Sequence, residues 1–391
     1  MDDSMHANES PPTQRLASLD VYRGVTMLLL AFTVPNWGWQ EPIADAHPWL
    51  RPLAEQFEHA TWRGMTLWDL IQPSFMFMVG VSLPYSLASR KRRGAMQASL
   101  WRHAATRAVA LILLGVFLRS IGRDETNWTL EDVVSQIGLG YLPLFWLATR
   151  GPREQGIAIA LLLTATWLLY ALWPIPTDDE LVVEHFSGFW AHWNEHVGPG
   201  VAFDRWLLNL PPRSTPFVVN EGGYYTLNFL PSLATMTLGL LAGQQMKSDR
   251  TAGAKLAWLT AWGVGLLAFG LALDAVGVCP LVKKVWTPSF ALASGGLCLV
   301  ILAVFYAILD VGGWRRGAEP ATVVGRNPLA MYVMTWTIAS WVLMNLTTHL
   351  GDDLFFVFGA PYAPLLGNLA VGTVLWLFCC WMDRNRVYVR L

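Results

Sequence analysis

The chain has few charged residues for its length. Only 14% of its 391 residues are Asp, Glu, Lys or Arg, whereas soluble domains average about a quarter. Hydrophobic residues make up 54% of the sequence, and the mean hydropathy is +0.37. This composition excludes an ordinary soluble globular domain and predicts a polytopic membrane protein whose surroundings are a lipid bilayer.

Cysteine is also scarce. Of the four cysteines, Cys298, Cys379 and Cys380 lie in apolar stretches, so neither a disulfide framework nor a paired-cysteine metal site is indicated. The 27 basic and 28 acidic side chains leave a net charge of −1. That balance excludes a general attraction to nucleic acid.

The first fourteen residues, MDDSMHANESPPTQ, lack the basic run and apolar stretch of a signal peptide. We expect residues 1–14 to form a disordered cytoplasmic tail. No Gly/Ser-rich linker and no internal repeat follows, so residues 15–391 are predicted to form a single transmembrane domain.

Apolar segments long enough to cross a bilayer, about 20 residues each, recur along this domain. They predict an all-α bundle of about ten spans, near 18–38, 65–88, 104–121, 133–149, 156–174, 225–246, 254–277, 288–310, 321–345 and 363–383. The longest connection outside these spans, near 175–224, is rich in tryptophan.

Basic residues are concentrated in alternate connections, as the positive-inside rule requires of cytoplasmic loops. The richer set comprises the run Arg90 to Arg93 with Arg102, then Arg150/Arg153, Lys247/Arg250/Lys255, Arg315/Arg316 and Arg384/Arg386/Arg390. We therefore expect both termini in the cytoplasm, and His59 with the 175–224 connection on the extracytoplasmic side.

Polar residues inside apolar spans need a partner or a water-filled cavity. His59 precedes the second span, and Asp69 lies within it, followed by Gln72 and Pro73. A histidine near a carboxylate suits a general base with an orienting partner, and Pro73 is expected to open the helix. The alternative is an interfacial histidine with a structural carboxylate.

Two further groups of polar residues have alternative interpretations. Asp20 and Arg23 lie one helical turn apart, so they predict either an interfacial ion pair or, with Gln72, a supporting polar network. A second group could form a phosphate-binding site for a nucleotide-bearing donor: Arg92, Arg93, Arg102 and Arg107. The alternative is that these residues are only a topology signal, which does not account for Arg107 because it lies inside a helix.

The segment HWNEH, His192 to His196, matches an inverted zincin pattern. A five-residue match of this kind arises readily by chance, and no further ligand is evident downstream. We therefore predict no metal site.

Several blocks together resemble the heparan-alpha-glucosaminide N-acetyltransferase-like family, and especially its bacterial-type members of uncharacterised substrate. The blocks are SLDVYRGVTML (18–28), the span exit at Asn36, HATWRGMTLWDLIQPSFMFMVGVSL (59–83), LNFLPSLATMTLGLLAG (227–243), KKVWTPSFAL (283–292) and GRNPLAMYV (325–333). The resemblance covers nearly the whole chain.

The resemblance implies a membrane acyltransferase that moves acetyl from cytoplasmic acetyl-CoA to a sugar across the membrane. It assigns the essential histidine to His59, the motif aspartate to Asp69 and the span-exit asparagine to Asn36. Trp37, Trp62 and Arg63 would then contact the acceptor. Arg63 and Gln72 differ from the family member that acts on heparan glucosamine, which puts an identical acceptor in doubt.

The main alternative function is a carbohydrate permease whose pathway uses the same polar groups without forming a bond. A non-catalytic scaffold would leave Asp69 and Arg107 without a purpose. The sequence leaves open the acceptor, N- or O-acylation, the acyl chain length, an acetyl-histidine intermediate and the oligomeric state, a homo-oligomer included.

Overall fold

The protein is an all-α helical bundle, as its sequence predicts. A computed structural model describes residues 16–35, 38–176 and 180–389. The predicted tail over 1–14 and the predicted site residues Asn36 and Trp37 lie outside the described residues. Within them, β-structure is limited to two isolated bridges, Arg63 with Val282 and Val183 with Glu195.

Fifteen α-helices follow one another along the described residues. They are α1 (Ala17–Ala31), α2 (Gln40–Ala46), α3 (Arg51–Ala54), α4 (Ile71–Arg92), α5 (Gln97–Ser120), α6 (Val133–Leu147), α7 (Pro152–Ala171), α8 (Pro199–Leu207), α9 (Phe229–Lys247), α10 (Ala252–Ala275), α11 (Pro288–Phe305), α12 (Glu319–Arg326), α13 (Pro328–Thr337), α14 (Ala339–Leu350) and α15 (Ala363–Arg384).

The chain is a multi-pass membrane protein. In its described part, seven helical segments are long and apolar enough to cross a bilayer, and an eighth results if α13 and α14, bent by 61°, form one span. Helices also occur at the first and fourth predicted spans, but α1 and α6 have only 15 residues each. A count of ten spans therefore stays a prediction.

The predicted ninth span, 321–345, is not one helix. It is divided into α12, α13 and α14. The first break falls at Asn327 because Pro328 lacks a backbone N–H and disfavours helical geometry in the residue before it. The Asn327 side chain donates to the carbonyl of Val387 and accepts from the N–H of Val389, so the C-terminal segment stabilises this break.

Pro73 does not open the second span, in contrast to the sequence-based expectation. It lies in the first turn of α4, where a backbone N–H has no helical partner to lose. A short 3₁₀ turn, Trp68–Leu70, leads directly into the helix. Asp69 and Gln72 therefore lie at the end of the span.

Close packing of α4 against α9 depends on glycine. A Cβ atom at Gly239 would collide with the carbonyl oxygen of Phe77, and one at Gly80 would collide with that of Met236. Small residues let membrane helices approach this closely, where dispersion contacts replace the hydrophobic effect as the driving force. The α4–α9 pair thus holds the helix that begins beside Asp69.

A cap, residues 180–225, covers the end of the bundle at which α4 begins. It contains α8 and the 3₁₀ segment Gly188–Trp193. Trp193, Tyr225 and Val201 of the cap pack with Trp62 and Val282 in a separate apolar cluster. The cap therefore contacts the two loops that carry the candidate site described below.

We expect Gly239→Ala to lower the free energy of unfolding by about 1–3 kcal/mol, because a methyl group there forces α4 and α9 apart. The midpoint of thermal unfolding in detergent measures this effect. Gly265→Ala on α10, where an added Cβ meets no atom within 4 Å, is the matched control. Equal unfolding midpoints for both variants would contradict the packing argument.

Candidate active site

His59 and Asp69 are in direct contact. The Nδ1 atom of His59 lies 2.7 Å from Oδ1 of Asp69. The other carboxylate oxygen, Oδ2, accepts hydrogen bonds from the backbone N–H groups of Ala60 and Thr66, each at 3.1 Å. The Asp69 side chain is only 1% exposed, so these bonds replace the water that a carboxylate would otherwise require.

The loop between His59 and Asp69 is attached to the segment that precedes α11. Gly64 adopts a φ of +115°, a conformation that glycine tolerates best. Its N–H donates to the carbonyl of Leu281 at 2.8 Å, and Arg63 forms the bridge with Val282. This pairing brings Lys283 next to His59.

Lys283 is the third member of the site, and its role was missed from the sequence. Its Nζ atom lies 3.3 Å from Oδ1 of Asp69 and 3.0 Å from Nδ1 of His59. The side chain is 8% exposed. In the sequence, Lys283 stands out only as part of the motif KKVWTPSFAL, because nothing local to it indicates a partner 224 residues away.

The short distances fix where the proton lies on His59. A carboxylate oxygen only accepts, so Nδ1 at 2.7 Å must carry the proton and donate it to Asp69. The Lys283 ammonium then donates to Asp69, and its 3.0 Å approach to Nδ1 reflects the shared carboxylate. In a neutral ring this arrangement places the basic lone pair on Nε2.

The pKa of His59 lies below its ordinary value. The main cause is burial among protein atoms, which disfavours the imidazolium. The hydrogen bond to Asp69 raises the pKa, while the positive charge of Lys283 lowers it. The side chain is 35% exposed and lines the cavity described below. Together these effects favour the neutral form of His59.

The His59 cavity has a volume of about 840 Å³. Its walls combine aromatic rings with polar side chains, among them Trp68, Gln72, Arg119, Arg123, Glu131, Phe217, Asn220, Tyr224, Lys283 and Trp336. The Tyr224 hydroxyl is buried without a hydrogen-bond partner among the described residues. Burial and the nearby charge of Asp69 keep its pKa well above the usual range, so the phenol retains its proton.

The second cavity, called the arginine cavity, has a volume of about 620 Å³. Basic side chains dominate its polar wall: Arg23, Arg90, Arg92, Arg93, His103, Arg107, Lys247 and Arg326. Arg107 donates to the Tyr141 hydroxyl at 3.2 Å, while its buried Nε has no hydrogen-bond partner in the part of the chain described. The arrangement suits an anionic ligand.

The two cavities follow one another along α4. Ile71, Gln72 and Phe75 line the His59 cavity, whereas Phe75, later residues of α4 up to Arg92, and Arg93 just after the helix line the arginine cavity. Both cavities share Phe75, Val133 and Tyr332. The rings of Phe75 and Tyr332 contact each other edge-on, with 6.3 Å between their centres. An aromatic constriction thus separates the two sites.

The predicted site residues are divided between these cavities. Gln72 lines the His59 cavity, and Arg92, Arg93 and Arg107 line the arginine cavity. Asp20 and Arg23 pair at 3.3 Å as expected. They line the arginine cavity, however, so they are not in one network with Gln72. Asp20 and Arg23 lie near the start of α1, which is at the end of the bundle opposite the His59 loop, and so they are separated from Gln72.

Besides Asp69, which contacts His59 but is enclosed, three of the predicted residues that the structure describes line neither cavity. The Trp62 indole is buried, donates to the carbonyl of Trp193 and stacks on His185 at 4.7 Å. Arg63 forms two hydrogen bonds with Asp274, at 3.0 and 2.9 Å, and lies over the Trp190 ring. Arg102 is exposed on the outer face of α5. Trp62 and Arg63 hold the cap and loops together.

The HWNEH segment contributes to the cap. His185 Nε2 lies 3.1 Å from Glu195, and His192 Nδ1 lies 2.9 Å from the Trp173 carbonyl. His185, which precedes this segment, and His192 within it therefore have separate partners. Across the described residues, no three His, Cys, Asp or Glu side chains are grouped to hold a metal ion.

The chain is similar to curated N-acetyltransferase sequences. It is 26% identical over 368 residues to human heparan-alpha-glucosaminide N-acetyltransferase, covering 83% of this chain and 52% of the human protein. The mouse enzyme of the same name is 25% identical over 395 residues, which cover 85% of this chain and 55% of the mouse protein. The chain thus spans about half the length of these relatives. No family model matches it.

We expect Arg63 and Asp274 to be coupled in stability. Because the Arg63 side chain is 49% exposed, solvent screening limits their interaction to about 0.5–1 kcal/mol. A double-mutant cycle of Arg63→Met and Asp274→Asn, followed by thermal unfolding, measures it. Strictly additive effects would show that the pair does not hold the loop, and would return Arg63 to consideration as an acceptor contact.

Proposed function

We propose that the protein is a membrane-bound acyltransferase. It moves an acetyl group from acetyl-CoA on the cytoplasmic side to an amino sugar or a glycan hydroxyl on the extracytoplasmic side. The observation that carries this proposal is the pair of cavities that meet at Phe75 and Tyr332, one basic and the other containing a histidine–aspartate pair. The names of the human and mouse relatives support the reaction class.

The arginine cavity would hold the nucleotide end of the donor. Guanidinium groups bind phosphates through paired, charge-assisted hydrogen bonds. Arg92 and Arg93 lie at the mouth, where α4 ends, and Arg107 lies about 15 Å along α5 from its start, at 1.5 Å per residue. The thin pantetheine arm would pass the Phe75–Tyr332 contact toward His59, which requires these two touching rings to move apart.

The His59 cavity would hold the acceptor and the thioester. Nε2 of His59 takes the proton from the acceptor amine or hydroxyl as its nitrogen or oxygen attacks the thioester carbonyl carbon. The carbon–sulfur bond then breaks, and CoA leaves as a thiolate that takes the proton from the imidazolium. Asp69 holds the ring in the required tautomer. Transient acetylation of His59 is the alternative route.

Other roles in this site follow from its walls. Asn36 stays a predicted hydrogen-bond donor to the thioester carbonyl or to the acceptor, as the resemblance implies. A sugar ring would stack on aromatic side chains of the cavity. Trp68 and Trp336 line it and are better placed for this than Trp62, whereas Trp37 stays a prediction.

The charge distribution supports the proposed orientation. Arg90, Lys247 and Arg326 come from separate parts of the sequence, yet all line the arginine cavity. Because Lys and Arg are retained on the cytoplasmic side of membrane proteins, we place this cavity and both termini in the cytoplasm. A bacterial inner membrane is the proposed location.

A carbohydrate permease is the second candidate, and the bend between α13 and α14 favours it, because transporters often bind substrate at broken helices. Proteoliposomes without acetyl-CoA distinguish the two functions. Uptake of an unmodified labelled sugar would support the permease. Product that forms only with acetyl-CoA would support the enzyme.

We expect His59→Ala to lower the rate of acetyl transfer by on the order of 10²- to 10⁴-fold, because the proton acceptor is lost. The assay follows label from acetyl-CoA to a panel of amino sugars and glycans. His349→Ala removes an exposed histidine on α14 and should leave the rate unchanged. Full activity of His59→Ala would remove His59 from the mechanism.

We expect Arg107→Met to weaken acetyl-CoA binding by about tenfold to a hundredfold, because hydrogen bonds to charged groups contribute about 1.5–3 kcal/mol each. The rise in unfolding temperature on adding acetyl-CoA reports this binding. Arg153→Met, an exposed arginine outside both cavities, is the control. An unchanged temperature shift in Arg107→Met would exclude Arg107 from the donor site.

A further inference from the structure

The ammonium group of Lys283 occupies a buried position that only one described carboxylate contacts. Its Nζ atom lies 3.3 Å from Asp69 and 5.6 Å from the centre of the Tyr224 ring. A buried charge is costly unless it is paired, so Asp69 stabilises Lys283 as well as His59. One carboxylate therefore has two nitrogen partners.

This arrangement differs from a simple aspartate–histidine pair. A carboxylate beside an imidazole favours its protonated form, because the two opposite charges attract. Here a positive charge already lies 3.0 Å from the same ring nitrogen. A second positive charge on His59 would be repelled by Lys283, which opposes its attraction to Asp69.

We propose that Lys283 is a positioning residue whose charge, stabilised by Asp69, keeps His59 neutral while Asp69 holds its ring. This inference rests on the proposed function, because a proton acceptor must be neutral before it reacts. The direction of the pKa shift of His59 agrees: burial lowers it most, and Lys283 opposes the increase caused by Asp69.

The charged and titratable groups facing His59 come from three segments. Asp69 lies on the turn before α4, Lys283 and Lys284 lie before α11, and Tyr224 lies at the end of the cap. The Lys284 ammonium lies over the Trp62 ring at 5.4 Å. Lys284 thus offers a matched control. Its substitution removes the same charge from the neighbouring residue, whose ammonium group lies over Trp62.

The test measures how the reaction of diethyl pyrocarbonate with His59 depends on pH, since this reagent modifies neutral imidazole. Peptide mass spectrometry isolates His59 from the other histidines, with exposed His349 as the internal reference. We expect Lys283→Met to raise the midpoint for His59 by about one pH unit. Lys284→Met should raise it less, and Lys283→Arg should leave it near the wild-type value.

An unchanged midpoint in Lys283→Met would overturn the proposal, as would equal shifts in the two lysine variants. If Lys283→Met does not fold, Lys283→Gln removes the charge while retaining a polar group and supplies the same comparison. The measurement needs no acetyl transfer. The protonation proposal can therefore fail or succeed separately from the proposed enzyme activity.

Where acetyl transfer is observed, its pH profile gives a second readout. Loss of the Lys283 charge should shift the acidic limb of the pH–rate profile to higher pH, by the same number of pH units as the midpoint of the modification reaction. A purely structural role would lower the rate at every pH and leave the limb in place, which would count against the proposal.

Discussion

The candidate site depends on the burial of one carboxylate. Asp69 is almost completely enclosed, and an unpaired charge there would be prohibitively costly. Its two oxygens instead accept from the backbone of the His59 loop, from the His59 ring and from the Lys283 ammonium. The charge thereby fixes the loop, orients the ring and attracts a lysine from a distant segment.

The position of Asp69 at the start of α4 connects this site to the rest of the bundle. From Gln72 to Arg92, α4 rises about 30 Å, at 1.5 Å per residue. That distance matches the apolar thickness of a bilayer, about 30 Å. One helix therefore lines the histidine site at one end and the arginine cavity at the other, with Phe75 at their meeting point.

Much of this arrangement could be predicted from local sequence. Hydropathy predicted the helical bundle, and polar residues inside apolar segments indicated His59, Asp69 and Arg107. The family resemblance added roles for His59, Asp69 and Asn36. What could not be predicted depends on contacts between distant segments: Lys283 approaches His59 only because the Gly64 loop pairs with Leu281. Likewise, Arg63 has a structural partner in Asp274, which no spacing reveals. The break at Asn327 had a visible signal in Pro328, although hydropathy alone obscured it.

An experimental structure with acetyl-CoA bound tests the proposed mechanism most directly. We expect the phosphates against Arg107 in the arginine cavity and the pantetheine arm at the Phe75–Tyr332 contact, with the two rings moved apart. The thioester should lie within about 4 Å of His59, near enough for reaction in the bound geometry. Acetyl-CoA bound with its thioester remote from His59, or confined to one side of the aromatic constriction, would contradict the proposed mechanism.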